Sequence, residues 1–285
     1  MRSLLSNVAG VLGILKGFGQ SSNSRIVSLH PHLTQLFIDA RRDDAVKTMR
    51  TKAKPREEYL AVNRNRYGIY AFLSRVYGKE ITPELLREFA SAKSPLLQIG
   101  DLDELEEGEL KRGVQTLREY LQSLAQRNIE EVKLELAAEY ADLFLGVAGK
   151  PPHPSESVYV GKDHLVMGKA RDEVLSAYRK AGLDKVKEFK EPEDHIAIEL
   201  NFMALLCQRT VDALERDNEN KTKEYLRIQR DFIENHLARW VPQLTKDILE
   251  QSEVDFYKGI AMITDGFIEM EKKTIEELSA GIDDF

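Results

Sequence analysis

The chain has 285 residues, enough for one large domain or two modest ones, and 31% of them are charged, as suits a protein with many solvated helix faces. A formal charge of −7 disfavours bulk attraction to nucleic acid or to an anionic membrane and suits a basic partner. The single cysteine, Cys207, excludes a disulfide framework and a cysteine-rich zinc site, and no apolar run approaches the roughly 20 residues that span a bilayer, so the expected compartment is the cytoplasm.

In chain order, residues 1–54 read as an N-terminal helical extension and residues 55–285 as one compact all-α, bundle-like domain. Leu4, Leu5, Val8, Val11, Leu12, Leu15 and Phe18 make one apolar helical face, although four glycines within residues 10–19 each cost about 1 kcal/mol of helix stability. Lys16 interrupts this stretch, and no small-x-small cleavage site follows it, against a secretory signal. The polar run 21–24 reads as a linker, and a short helix is expected over 34–49. Arg41 and Arg42 precede two aspartates rather than an apolar core, so they are not an export signal themselves. Met49 opens a basic patch and is an alternative start of translation.

From Arg56 the apolar spacing predicts a helix ending near Gly78, a natural C-terminal stop. Thr82, Pro83 and Glu84 supply a cap, a first-turn proline and an acid for a helix running to about residue 92. An acidic loop leads to helices over 107–126 and 129–144. Pro151, Pro152 and Pro154 then impose a loop, followed by a helix over 164–181. The run 191–214 is expected to be the central helix, with Glu191 as N-cap and Pro192 as its first residue. Its apolar stripe of Ile196, Leu200, Met203, Cys207, Val211 and Leu214 gives Cys207 a packing role. Further helices are expected over 225–240, stopped by Pro242, and over 244–275. No alternating strand pattern, internal repeat or glycine-rich phosphate loop is present in the sequence.

His195 and Glu199 stand one turn apart at the mouth of this apolar helix, where ionisable side chains need partners. Spacing of i, i+4 suits two metal ligands, and Ser157 with His195 is a nominal nucleophile and base. A metal-dependent helical enzyme is therefore one alternative, but a third ligand at matching spacing and an oxyanion-hole loop are both missing from the sequence. The plain readings are that Asp194 stabilises a helix start, that His195 is a core-edge imidazole and that the prolines stiffen a connection.

Two stretches together point elsewhere. Residues 139–159, EYADLFLGVAGKPPHPSESVY, and residues 191–203, EPEDHIAIELNFM, resemble the paired signature of the TorD/DmsD-type maturation chaperones of molybdenum-containing oxidoreductases, in the nitrate reductase delta subunit (NarJ-like) superfamily. The resemblance covers roughly residues 56–275. It implies an all-helical cytoplasmic chaperone, not an enzyme, with no resident cofactor. Such a protein binds the twin-arginine leader of a reductase catalytic subunit and holds that subunit for cofactor insertion and assembly before export. A leader of this kind is a basic pair followed by an apolar run, so its receptor needs carboxylates beside an apolar groove. Glu139, Glu156, Asp194 and Glu199 are the expected carboxylates. Tyr140, Leu143, Phe144 and Tyr159 are the expected groove, with Pro152, Ser157 and His195 completing the site, His195 as a hydrogen-bonding group rather than a cation. The protomer is expected as a monomer or as a domain-swapped dimer. A helical adaptor that engages a folded partner through residues 1–54 is the remaining alternative.

Overall fold

The structure, a computed structural model, describes residues 50–91, 105–146, 151–183 and 190–281. The amphipathic segment at the N-terminus, the helix expected over 34–49 and most of the acidic loop lie outside the described residues. Ten helices are described: α1 (Arg50–Gly78), α2 (Pro83–Ala90), α3 (Glu109–Ser123), α4 (Ile129–Phe144), α5 (Glu156–Val160), α6 (Lys169–Lys180), α7 (Ile196–Glu215), α8 (Glu219–Phe232), α9 (Ala238–Gln251) and α10 (Asp255–Gly281). Among the described residues no strand forms; the only extended pairing is a single bridge between Ser155 and His195.

Local chemistry accounts for most helix ends. Thr82 Oγ1 accepts the Leu85 N–H at 3.3 Å ahead of Pro83, as its cap-proline-acid order predicts. Asn128 caps α4 by accepting the Glu130 N–H at 2.9 Å, and Asn218 caps α8 by accepting from Lys221 at 3.1 Å. The core centres on α7, whose Ile196, Leu200, Met203, Leu206 and Cys207 are wholly buried. α1 lies along α7 and α10 lies along α3, with α8 against α7 and α9 against α10. Cys207 is inert packing, its thiol pushed up to about 12 by burial.

The α3–α10 pair approaches closely because it meets through glycine. A Cβ on Gly113 would come within 2.6 Å of the Ile263 nitrogen, and one on Gly266 would collide with the Leu110 backbone. One ion pair runs through this interior: Arg66 of α1 meets Glu271 of α10 through its Nε and Nη2 atoms at 2.7–2.9 Å. Tyr70 donates to the same carboxylate at 2.8 Å, and Asn63 accepts from Arg66 at 3.0 Å. Satisfying every fork of the guanidinium makes this buried charge tolerable.

Five expectations need correction. The central helix begins at Ile196, not at Pro192: residues 192–195 form a turn, and His195 is the cap, its Nδ1 accepting the Ala197 N–H at 3.1 Å. Inside the expected proline loop, residues 156–160 form the short helix α5. The helix expected from 164 starts at Lys169, because His164 and Met167 adopt positive φ of 51° and 61° and the turn closes at Gly168. Pro242 does not stop a helix. It sits inside α9, which follows a π turn at Ile233–Leu237. The helix expected over 244–275 is broken at Ser252, where the Glu139 carboxylate takes over the N–H groups that open α10.

Candidate functional site

The two motifs read from the sequence meet in space. The Glu156 N–H donates to the Asp194 carbonyl at 3.0 Å, and the Ile196 N–H donates to the Pro154 carbonyl at 2.8 Å. These two bonds flank the Ser155–His195 bridge and zip the proline loop onto the start of α7. Asp194 then fastens α5: its Oδ2 accepts from the Ser157 N–H at 2.9 Å and from the Ser157 hydroxyl. The Ser157 Oγ in turn accepts the Gly168 N–H at 3.1 Å, tying down the far end of the 161–168 turn.

This arrangement brings three carboxyl groups together. Glu156, Asp194 and Glu199 are each 0% exposed, and they come from α5, from the turn before α7 and from α7 itself. Glu199 Oε2 accepts the Trp240 indole N–H at 3.1 Å, and Glu156 Oε2 meets His236 Nδ1 at 2.9 Å. Burial first, and then the neighbouring Glu156, push the Glu199 carboxyl well above the ordinary carboxylate range. Tyr178 of α6 closes the cluster from another side, tilted against Phe202, stacked on Phe232 and donating to the Glu193 carbonyl at 3.0 Å. Its phenol is pushed up by burial and by the Glu199, Asp194 and Glu156 charges. Beside this negative concentration Arg171 pairs with Glu193 at the rim and the His236 ring bonds Glu156. Among the described residues no protein group bonds Asp194 Oδ1 or the buried Ser155 hydroxyl. His153 stands beside them, its imidazole held below its ordinary value by burial.

The remaining expected residues are disposed as follows. Tyr159 tilts against Trp240 with ring centroids 5.6 Å apart and is half-buried, while Pro152 is buried beneath the loop. Tyr140, Leu143 and Phe144 belong to an aromatic cluster with Tyr77 and Tyr257, and Tyr140 donates to the Tyr77 carbonyl at 3.1 Å. Glu139 Oε1 is occupied at the head of α10, accepting from Ser252, Glu253 and Val254. The three inner acids, with Ser157 and His195, therefore converge, whereas Tyr140, Leu143 and Phe144 are buried in the core and Glu139 sits at the head of α10. Sequence reasoning missed His236 and Trp240. Their signal was faint, an i, i+4 pair just ahead of Pro242, and the π turn that aims His236 inward left none. Among the described residues no three His, Cys, Asp or Glu side chains are grouped to hold a metal ion, and His195 Nδ1 and Glu199 Oε2 are already committed.

The family described as "Nitrate reductase delta subunit" matches residues 106–246, a span that contains both motifs. "Chaperone protein TorD" of Vibrio cholerae is 31% identical over 222 residues, covering 78% of this chain and 97% of that protein. The chain belongs to the TorD chaperone family. The TorD protein of Vibrio vulnificus is 32% identical over 203 residues (71% of this chain, 91% of that one), and that of Photobacterium profundum is 29% identical over 217 (75% and 96%). The resemblance carried by the two motifs is thus confirmed: this is a maturation chaperone of the TorD/NarJ type, not an enzyme. No described helix is long and apolar enough to cross a membrane.

Proposed function

We propose that this chaperone acts in the cytoplasm on a molybdoenzyme catalytic subunit, binding the twin-arginine leader until the cofactor is in place. The observation that carries the reading is the Glu156–Asp194–Glu199 cluster, three buried carboxyls with unfilled acceptors at Asp194 Oδ1 and Ser155 Oγ. Buried acids without a full complement of donors are costly, and a guanidinium supplies five N–H donors in a planar fork. The acids are closed over in the state seen here, so entry of an arginine requires the 151–168 segment to lift from the start of α7. The bonds that hold it there are polar: two backbone bonds, the Ser157 contacts and the Glu156–His236 bond. Half-buried Tyr159 then receives the apolar run, and the part expected of Tyr140, Leu143 and Phe144 requires these buried side chains to be uncovered as well.

Magnitudes agree with a releasable complex. A charge-assisted bond contributes about 1.5–3 kcal/mol and a buried leucine about as much, so a few contacts less the ordering costs reach roughly micromolar affinity. Calorimetry of a synthetic twin-arginine leader peptide with wild type and Asp194→Asn tests this. Asparagine keeps an acceptor for Ser157 but not the charge, so the Kd is expected to rise about tenfold or more. Equal affinity for both proteins would remove Asp194 from the site.

A further inference from the structure

We infer that Glu156 and Glu199 hold a single proton between them, that an arriving guanidinium expels it, and that His236 is its way out to water. This rests on the peptide reading above and deepens it. Among the described residues the Oε1 atoms of Glu156 and Glu199 have no hydrogen-bond partner, while their Oε2 atoms bond His236 and Trp240, one helical turn apart, so the two carboxyls share one buried site. Two carboxyls sharing a fully buried site do not both ionise, so at least one proton stays on the pair. The opposite edge of Glu199 is held by Trp240, and the opposite edge of Glu156 lies 2.9 Å from His236 Nδ1. Of these four side chains only the His236 ring reaches the surface, being 9% exposed. The route of the proton is then Glu199 to Glu156, Glu156 to His236 and His236 to solvent.

The other ionisable groups around the pair do not supply a substitute cation. Asp194 adds negative charge from the turn before α7, and Tyr178 of α6 presents a phenol held neutral by burial. Arg171 is spent on Glu193 at the rim, and beyond His236 stand Glu173 and Arg239. The π turn places His236, rather than the next helical position, against Glu156. When a guanidinium enters, its fixed positive charge replaces the proton: Glu199 loses its O–H bond, both carboxylates accept N–H groups, and one proton passes through His236 to the buffer. Arginine does not titrate, so the proton count belongs to the protein. Affinity therefore rises with pH, by up to about tenfold per unit for one proton released.

Three arms test this on the full chain. In the free protein near pH 7, the infrared spectrum should show the carbonyl stretch of a protonated carboxyl, absent in Glu199→Gln; a spectrum without that band overturns the inference whether or not peptide binds. Calorimetry of the twin-arginine peptide in phosphate and in Tris, which differ in ionisation enthalpy, should give close to one proton released by wild type and none by Glu199→Gln. Binding with no proton released sinks the linkage and spares the peptide reading, while failure of wild type to bind sinks both. Trp240 is the chain's one tryptophan and touches Glu199, so its fluorescence follows the exchange in rapid mixing. His236→Gln should slow that change several-fold without altering the proton count, and an unchanged rate removes His236 from the route.

Discussion

Asp194 shows how one side chain serves both architecture and recognition. One carboxylate oxygen fastens α5 through Ser157, and the other has no donor among the described residues. Glu199 gives a stability prediction with a definite sign. Its folded-state value lies above the ordinary 4.5, so the folded protein holds this proton more tightly than the unfolded chain. The stabilisation that follows is fully present below 4.5 and is lost as pH rises through the raised folded value. Glu199→Gln should therefore gain in melting temperature relative to wild type as pH is raised from 4 to 8; a constant difference across that range would contradict the assignment. The Arg66–Glu271 pair behaves differently because it is complete. Glu271→Gln strands a buried guanidinium and should cost about 3–5 kcal/mol in urea unfolding. At this scale the sequence displayed the acids and their order, because motif residues at 156, 194 and 199 stand beside apolar runs. It could not display His236 and Trp240, which reach the acids from 80 and 41 residues away.

Helices with a polar cap and a periodic apolar face were legible almost to the residue. α4 runs from Asn128's cap to Phe144 as its spacing predicts, and α2 follows Thr82 and Pro83. The misjudged boundaries share a cause, tertiary partners that replace local ones. Residues 191–195 carry a helix-start signature, yet the Glu156 N–H claims the Asp194 carbonyl and the Ile196 N–H goes to Pro154. At the break at Ser252 the main acceptor is Glu139 from α4. Glu139→Ala should accordingly lower stability by about 1 kcal/mol, read in urea. Helix contact through glycine is a second element-scale constraint. A methyl at Gly266 must push α3 away from α10, so Gly266→Ala should cost about 1–3 kcal/mol even though alanine favours helix.

Over the whole molecule, the all-α class and the central position of α7 follow from helical periodicity and from a stripe too apolar to face water. The meeting of residues 151–159 with 192–196 was not legible from periodicity, since a single bridge between two coil segments leaves no repeating pattern. The family motifs pointed to it because they record which segments work together. The same architecture separates the chaperone reading from an adaptor reading. The acid cluster is built entirely from residues beyond 150, so removal of residues 1–49 should leave twin-arginine peptide affinity within about twofold of the full chain. An adaptor working through that segment would lose its association outright. The account rests most heavily on the arginine pair as the group recognised. Calorimetric titration of the intact protein with a twin-arginine leader peptide, and with the same peptide carrying two glutamines in place of the arginines, addresses it directly. The prediction is a Kd near micromolar for the first, about −8 kcal/mol, and at least about tenfold weaker binding for the second. Equal affinity for the two peptides, or none for either, would contradict it.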